Sequence, residues 1–321
     1  MGSFIKSLLF FILFALMGYV FLLLIWGNIL PGFLNKNLKY KLGLEGFMHT
    51  RLLEADQYKN GQLPHTIQIL FIGSSHAYRG FDPRIFAEAN LRTFNLGSSN
   101  QTPLQTNLLL KQYLVNLKPE LIVFEVYPEI FEMDGVESSV DVISNCSSFK
   151  FAFLHALSVN HIISYNTLLY SSLRKIFFND LSFVEDKRIG NDTYVEGGYV
   201  EKDAKQKGIS VNQKKKNWNL NNTQVFAFKE TLTFLKENKV PFLLVQSPIT
   251  KALYSSYSNN VEIDSFFLSL GSYKNYNEDK ELNLSDTIDF YDEHHLNQSG
   301  VSKFNLRVIK DFKQNLNVKL F

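Results

Sequence analysis

With a single cysteine, Cys146, in 321 residues, the chain cannot close an intrachain disulfide, and its redox compartment stays undecided. An excess of one charge is missing too. The 33 Lys and Arg against 31 Asp and Glu leave a formal net charge of +2, which gives no reason to expect a nucleic-acid partner. Internal repeats and low-complexity tracts are absent, which excludes repeat architectures. What the chain has in quantity is apolar side chains, 45% of its residues, enough for one large domain with a core.

The first long feature is itself an absence. No charged residue stands between Ser7 and Asn35, and SLLFFILFALMGYVFLLLIW within that run supplies the roughly 20 apolar residues a helix needs to cross a bilayer. Residues 1–35 are expected to be a signal anchor spanning at about 7–26. A cleaved signal peptide is the competing reading. Its apolar region is only about 7–15 residues long, and no small-x-small cleavage site follows the run here. Lys6 precedes the span and Lys36, Lys39 and Lys41 follow it, a count that by the positive-inside rule places the large domain in the cytoplasm. Residues 36–65 are polar and mixed, with a helix-like stretch from Leu42 to Leu53, and read as a stalk.

Beyond Pro64 the pattern alternates between strand and helix. Ile67 to Ile72 is a short apolar run of the kind buried on both faces of a sheet, and it ends at Gly73, which lets the chain turn and expose Ser74 and Ser75. An ordinary turn with serine caps is the alternative. Pro83 suits the first turn of a helix through Ala89. Arg92–Leu96 reads as a strand, Leu104–Leu117 as a helix and Leu121–Val126 as a strand. After an irregular region from about 134 to 223, a helix Gln224–Asn238 and a strand Val240–Gln246 resume the rhythm. A helix Asp264–Leu270 and a last strand Thr287–Phe290 follow, and Ser299 is expected to cap a final helix through Phe312. These elements predict an α/β three-layer sandwich with a mostly parallel sheet of about five strands over residues 66–321.

Chemistry is suggested at the two ends of this domain. Asp292 and His295 stand three apart just before a helix, where a turn can bring both to one point, Asp292 orienting the imidazole as a base. With Gly73-Ser74-Ser75 early and Asp-x-x-His late, the chain resembles the SGNH (GDSL-type) hydrolase and acyltransferase superfamily. The resemblance implies Ser75 as nucleophile, His295 as base and Asp292 as its orienting acid, with no metal and no cofactor. It also implies backbone oxyanion donors at Ser75 and at Asn100, in the loop NLGSSNQT, where relatives carry glycine. A backbone donor needs no particular side chain, and Asn tolerates left-handed geometry; a plain turn-forming role for Asn100 stays open. Glu129 stands where relatives place an Asn side-chain donor, and an ionised carboxylate cannot donate.

Candidate substrate contacts are His76, Glu129, Gln246 and Ser247, the last two at a strand's carboxyl end. In the irregular region, Leu154, Leu157, His161, Tyr165 and Leu168 recur at helical spacing, which makes His155 and His161 ordinary helix residues. Lys202–Lys216 is a basic segment suited to an anionic polymer or to solvent, and Gly197 and Gly198 are candidate hinges of a lid. Within that superfamily the chain resembles a membrane-anchored branch similar to the teichoic acid D-alanylation proteins. That likeness implies an inner-membrane protein with an extracytoplasmic domain, against the lysine count. It also implies an acyl group moved to a cell-surface saccharide, with the bilayer and a multi-pass membrane acyltransferase as partners. A carbohydrate esterase and a non-catalytic scaffold are the alternatives.

Overall fold

The computed structural model describes residues 2–29, 46–59, 61, 66–177, 183–204 and 214–315. Lys36, Lys39, Lys41 and most of the basic segment 202–216 lie outside these. Helix α1 (Gly2–Ile29) carries the uncharged run as far as Ile29, and Gly2–Gly27 is long and apolar enough to cross a membrane. Helix α2 (Met48–Lys59) falls in the expected stalk. Its Met48, Leu52 and Ala55, spaced by four and three on one helical face, are nevertheless buried in the domain core, so this helix is part of the folded body.

The body then runs β1 (Ile69–Ile72), α3 (Ser75–Gly80), α4 (Pro83–Glu88), β2 (Thr93–Asn95), α5 (Pro103–Leu117) and β3 (Leu121–Glu125). A 3-10 turn, Pro128–Phe131, leads to α6 (Val136–Asn145), α7 (Phe149–Val159) and α8 (Ile162–Phe177), then to the short strands β4 (Arg188–Ile189), β5 (Asp192–Val195) and β6 (Tyr199–Lys202). The last part comprises α9 (Asn222–Glu237), β7 (Phe242–Gln246), α10 (Lys251–Tyr254), α11 (Asn260–Leu268), β8 (Tyr273–Asn275) and α12 (Gln298–Asn315).

Five strands form one sheet in the order β2-β1-β3-β7-β8, and every neighbouring pair is parallel. The period-two alternation of a strand divides the core. Leu70, Ile72, Ile122, Phe124 and Leu244 face α2, α5, α9 and α11. Ile69, Phe71, Val123 and Val245 face α4 and α12, whose Phe86, Val301, Phe304, Val308 and Phe312 fill the other side. The expected three-layer α/β fold with a parallel sheet is therefore present. Strand order reverses between β1 and β3, and in such sheets the crevice at that point, above the strands' carboxyl ends, is where ligands sit.

Several expected elements differ. Thr287–Phe290 is not a strand; Phe290 makes only an isolated bridge with Leu296, and the fifth strand is β8, too short at three residues to stand out as an apolar run. The helix expected through Leu154 and Leu168 is two helices, because Asn160 adopts a left-handed φ of 49° and turns the chain between α7 and α8. Asn297, not Ser299, caps α12: its Oδ1 accepts from Gly300 N at 3.1 Å, while the Ser299 hydroxyl donates to Asp289 at 2.9 Å. A second, antiparallel sheet, β4-β5-β6, lies within the irregular region. Gly197 and Gly198 sit in its turn, pinned rather than hinged. Asn95 N donates to Gly197 O at 2.8 Å, and the buried Arg51 donates twice to Gly198 O at 3.0 and 3.1 Å.

Candidate active site

The site begins with a backbone requirement. At the end of β1, Gly73 has φ 142°, and a Cβ added there would meet Glu125 O at 2.8 Å and Glu125 Cβ at 2.9 Å; only glycine makes this turn without strain. Ser74 then caps α3, its hydroxyl accepting from His76 N at 3.3 Å. Ser75 opens the helix. Its Oγ lies 2.8 Å from His295 Nε2, although the two are 220 residues apart.

His295 is held by its own loop. Asp292 accepts from the backbone N–H of His294 at 2.8 Å and of His295 at 2.7 Å, and both its oxygens lie 3.0 Å from His295 Nδ1. A carboxylate only accepts, so Nδ1 carries the proton and the Nε2 lone pair faces Ser75. Burial pushes the Asp292 carboxyl up, but the hydrogen bond and charge of His295 and the two backbone donors outweigh it and hold the group below the usual carboxylate range. Tyr291 stacks flat on the His295 ring at 5.4 Å, and Glu293 O accepts from Thr250 N and Oγ1 at 3.1 Å each. The loop is thus fixed on both sides of His295.

Asn100 sits across from this turn in the β2–α5 loop. Gly97 N is used by Asn95 Oδ1 at 2.9 Å and Ser98 N by Gly73 O at 3.3 Å. Asn100 has a left-handed φ of 48°, and among the described residues its N–H, like that of Ser75, has no hydrogen-bond partner. Its side chain donates to Glu137 at 2.9 Å, which ties the loop to α6.

The remaining sequence candidates separate into two groups. His76 is buried behind the base: its Nε2 donates to His294 O at 2.9 Å, its ring meets Tyr127 edge-on at 4.0 Å, and burial, helped by His295 and His294, lowers its pKa well below the ordinary value. A neutral His76, through its Nε2, positions the 294–295 segment. Ser247 lines a small space with His76, Arg79, His294 and His295. Gln246 is turned to β8, accepting from the Tyr273 hydroxyl at 2.8 Å, and so is not brought to Ser75. Glu129 accepts from the Tyr127 hydroxyl at 2.8 Å, and that hydroxyl also lies 2.7 Å from His294 Nδ1. Glu129 also lies 3.8 Å from His294 Nδ1, so it touches Tyr127 and the residue next to His295.

Three residues near the site carried no role in the sequence reading. Glu125 ends β3, fully buried, accepting from Ser74 Oγ and Ser247 N at 3.5 Å each; burial raises its pKa to about 8 despite those donors. A lone carboxyl inside the apolar run LIVFEV was the available signal. Tyr127 follows it. Arg79, on the α3 helix that Ser75 begins, forms a two-pronged ion pair with Asp192 at 3.0 and 2.8 Å and so fastens β5 beside the site; no local pattern could have paired them.

No family model matches the chain, and no curated protein matches it. Among solved structures, a GDSL-like lipase from Bacteroides thetaiotaomicron is similar to it at 12% identity and a TM-score of 0.38, over 82% of this chain and 98% of that one.

Proposed function

We propose that the chain is a membrane-anchored serine enzyme of ester chemistry, working through an acyl-serine at Ser75. The observation that carries this reading is the line Ser75 Oγ, His295, Asp292, at 2.8 and 3.0 Å. His295 takes the Ser75 proton as Oγ adds to an ester carbonyl, and the N–H groups of Ser75 and Asn100 hold the developing oxyanion. As the tetrahedral species collapses, the C–O bond of the ester breaks and the leaving alcohol takes the proton from His295. A second hydroxyl, deprotonated by the same histidine, then adds to the acyl-serine and releases Ser75. Asp292 keeps the imidazole in the required tautomer throughout.

The acceptor is a saccharide hydroxyl in the reading favoured by the anchor, since α1 would hold the domain where a membrane-bound acyl donor, supplied by a multi-pass partner, is found. The domain is then extracytoplasmic at the inner membrane. Hydrolysis is the second reading. It is favoured by the pinned Gly197–Gly198 turn, which does not move as a lid to exclude water, and by the Asp292 side chain, 36% exposed.

A fluorophosphonate should label the full chain and Ser74→Ala but not Ser75→Ala; labelling that survives Ser75→Ala refutes the nucleophile. With a soluble acyl ester and oligosaccharide acceptors, slow turnover stimulated by one acceptor class supports transfer, and acid release that acceptors do not divert supports hydrolysis. For topology, a reporter active only outside the cytoplasm, joined after Phe321, should give signal.

A further inference from the structure

Helix α1 packs on α8. The Tyr19 hydroxyl donates to Asn166 Oδ1, Leu23 and Tyr170 form a buried cluster with Leu24 and Leu169, and a Cβ at Gly27 would overlap the Tyr170 ring. Residue numbers rise together along both helices, so α1 and α8 run in the same direction. The turn at Asn160 and His161 that joins α7 to α8 therefore points towards the amino-terminal part of α1. Ile162 lies one helical turn, about 6 Å, beyond Asn166 in that direction.

What the α7–α8 hairpin presents there is apolar. Phe149, Phe153 and Leu157, at successive four-residue steps on α7, are 64%, 43% and 51% exposed, and Ile162 at the start of α8 is 54% exposed. From Phe151 to Leu173 there is no Asp, Glu, Lys or Arg, and Lys150 and Arg174 bound the run. Four polar groups around the turn find partners within the hairpin. Tyr165 donates to Asn160 Oδ1 at 2.9 Å, Ile163 N to His161 Nδ1 at 3.2 Å, Ser158 to His155 O at 2.9 Å, and Thr167 to Ile163 O at 2.8 Å. Internal satisfaction is what a segment in lipid requires. Exposed apolar side chains at a hairpin tip, flanked by basic residues, are what an interfacial insert carries.

We propose that the α7–α8 hairpin is a second membrane element, inserted into the bilayer beside α1 with Leu157 and Ile162 among the acyl chains and Lys150 and Arg174 at headgroup level. The occupant is lipid because the patch is continuous with the exposed apolar surface of α1, against which α8 is already packed. This rests on α1 crossing the bilayer. Insertion also sets the position of the active site. Ser139 of α6 donates to His155 O in α7 at 3.0 Å, and Glu137 of α6 holds Asn100, so the hairpin's depth fixes the height of Ser75 above the membrane. The substrates that fit are then esters and acceptors held at the bilayer surface.

The test uses the full chain in lipid nanodiscs with Cys146→Ser, adding Phe153→Cys, Leu157→Cys or Ile162→Cys, each labelled with an environment-sensitive fluorophore. Phe11→Cys on α1 and Val261→Cys on α11 serve as lipid and water references, and circular dichroism checks each fold. Lipids brominated along the acyl chain should quench positions 153, 157 and 162 as they do 11, and aqueous iodide should quench them severalfold less than 261. Iodide quenching equal to that at 261 would overturn the proposal while leaving the span intact. Shielding from iodide without quenching by brominated lipid would also overturn it, because a protein surface, a second copy included, would then be the cover. Lipid quenching absent at 11 as well would bring down the span and the insert together.

Discussion

Glu125→Gln tests how the sheet edge supports the turn that presents Ser75. The carboxyl is fully buried under Gly73 and Ser74, and its pKa moves from the ordinary 4.5 to about 8, so near neutrality the folded protein keeps a proton that the unfolded chain has released. At about 1.36 kcal/mol per pH unit, that interval sets an upper bound of about 5 kcal/mol. Structural relaxation and water entry reduce it, and about 2–3 kcal/mol is the expected size. The sign follows from the raised pKa. The contribution is complete below the unfolded value and is lost as pH rises through the folded one. Glutamine mimics the protonated acid, so the variant should match the wild type at about pH 5 and surpass it at about pH 9. For a chain of this size, about 2–3 kcal/mol corresponds to a Tm difference on the order of 3–5 °C. Thermal unfolding of both proteins in one detergent across that pH range reads it directly. A Tm difference that stays constant with pH would refute the reasoning, because Glu125 would then be ionised, or neutral, in both states alike.

Asp292→Asn should keep the fold and slow fluorophosphonate labelling by about 10² to 10⁴, because the amide favours the wrong imidazole tautomer; a rate within a few-fold of wild type would remove Asp292 from the site. Gly73→Ala places a methyl within 3 Å of Glu125 backbone and side chain at a positive φ and should cost about 2–4 kcal/mol in urea unfolding, with labelling lost before the fold is. Asp192→Asn leaves Arg79, 12% exposed, without half of its ion pair and should destabilise by about 2–4 kcal/mol. Partial proteolysis should detect this first in β4–β6.

Local pattern was sufficient where one segment's chemistry decided its own structure. An uncharged run of span length makes α1 in any context, the apolar run at Ile69–Ile72 must be covered on both faces, and Gly73 is demanded by the backbone it terminates. Asp292 and His295 were legible together because a three-residue spacing in a turn lets one carboxylate cap and orient its neighbour. Long-range geometry was not legible. Nothing in the run LIVFEV says that Glu125 lies beneath Ser74, and nothing in β8's three residues announces a fifth strand, because β8 is defined by pairing with β7. Gln246 and Ser247 are adjacent in sequence, yet pleat alternation and the approach of Tyr273 send one to β8 and the other towards the histidines. The helices expected to form a stalk and a single insertion helix became a core element and a hairpin because burial of Met48 and Leu52 and the left-handed Asn160 depend on partners elsewhere in the chain. Sequence by itself determined which residue types could attack, take a proton and enter a membrane; only the tertiary structure, by bringing Ser75 and His295 to 2.8 Å across 220 residues, decided which of them meet, since that distance is set by the packing of the whole parallel sheet and not by any segment of it.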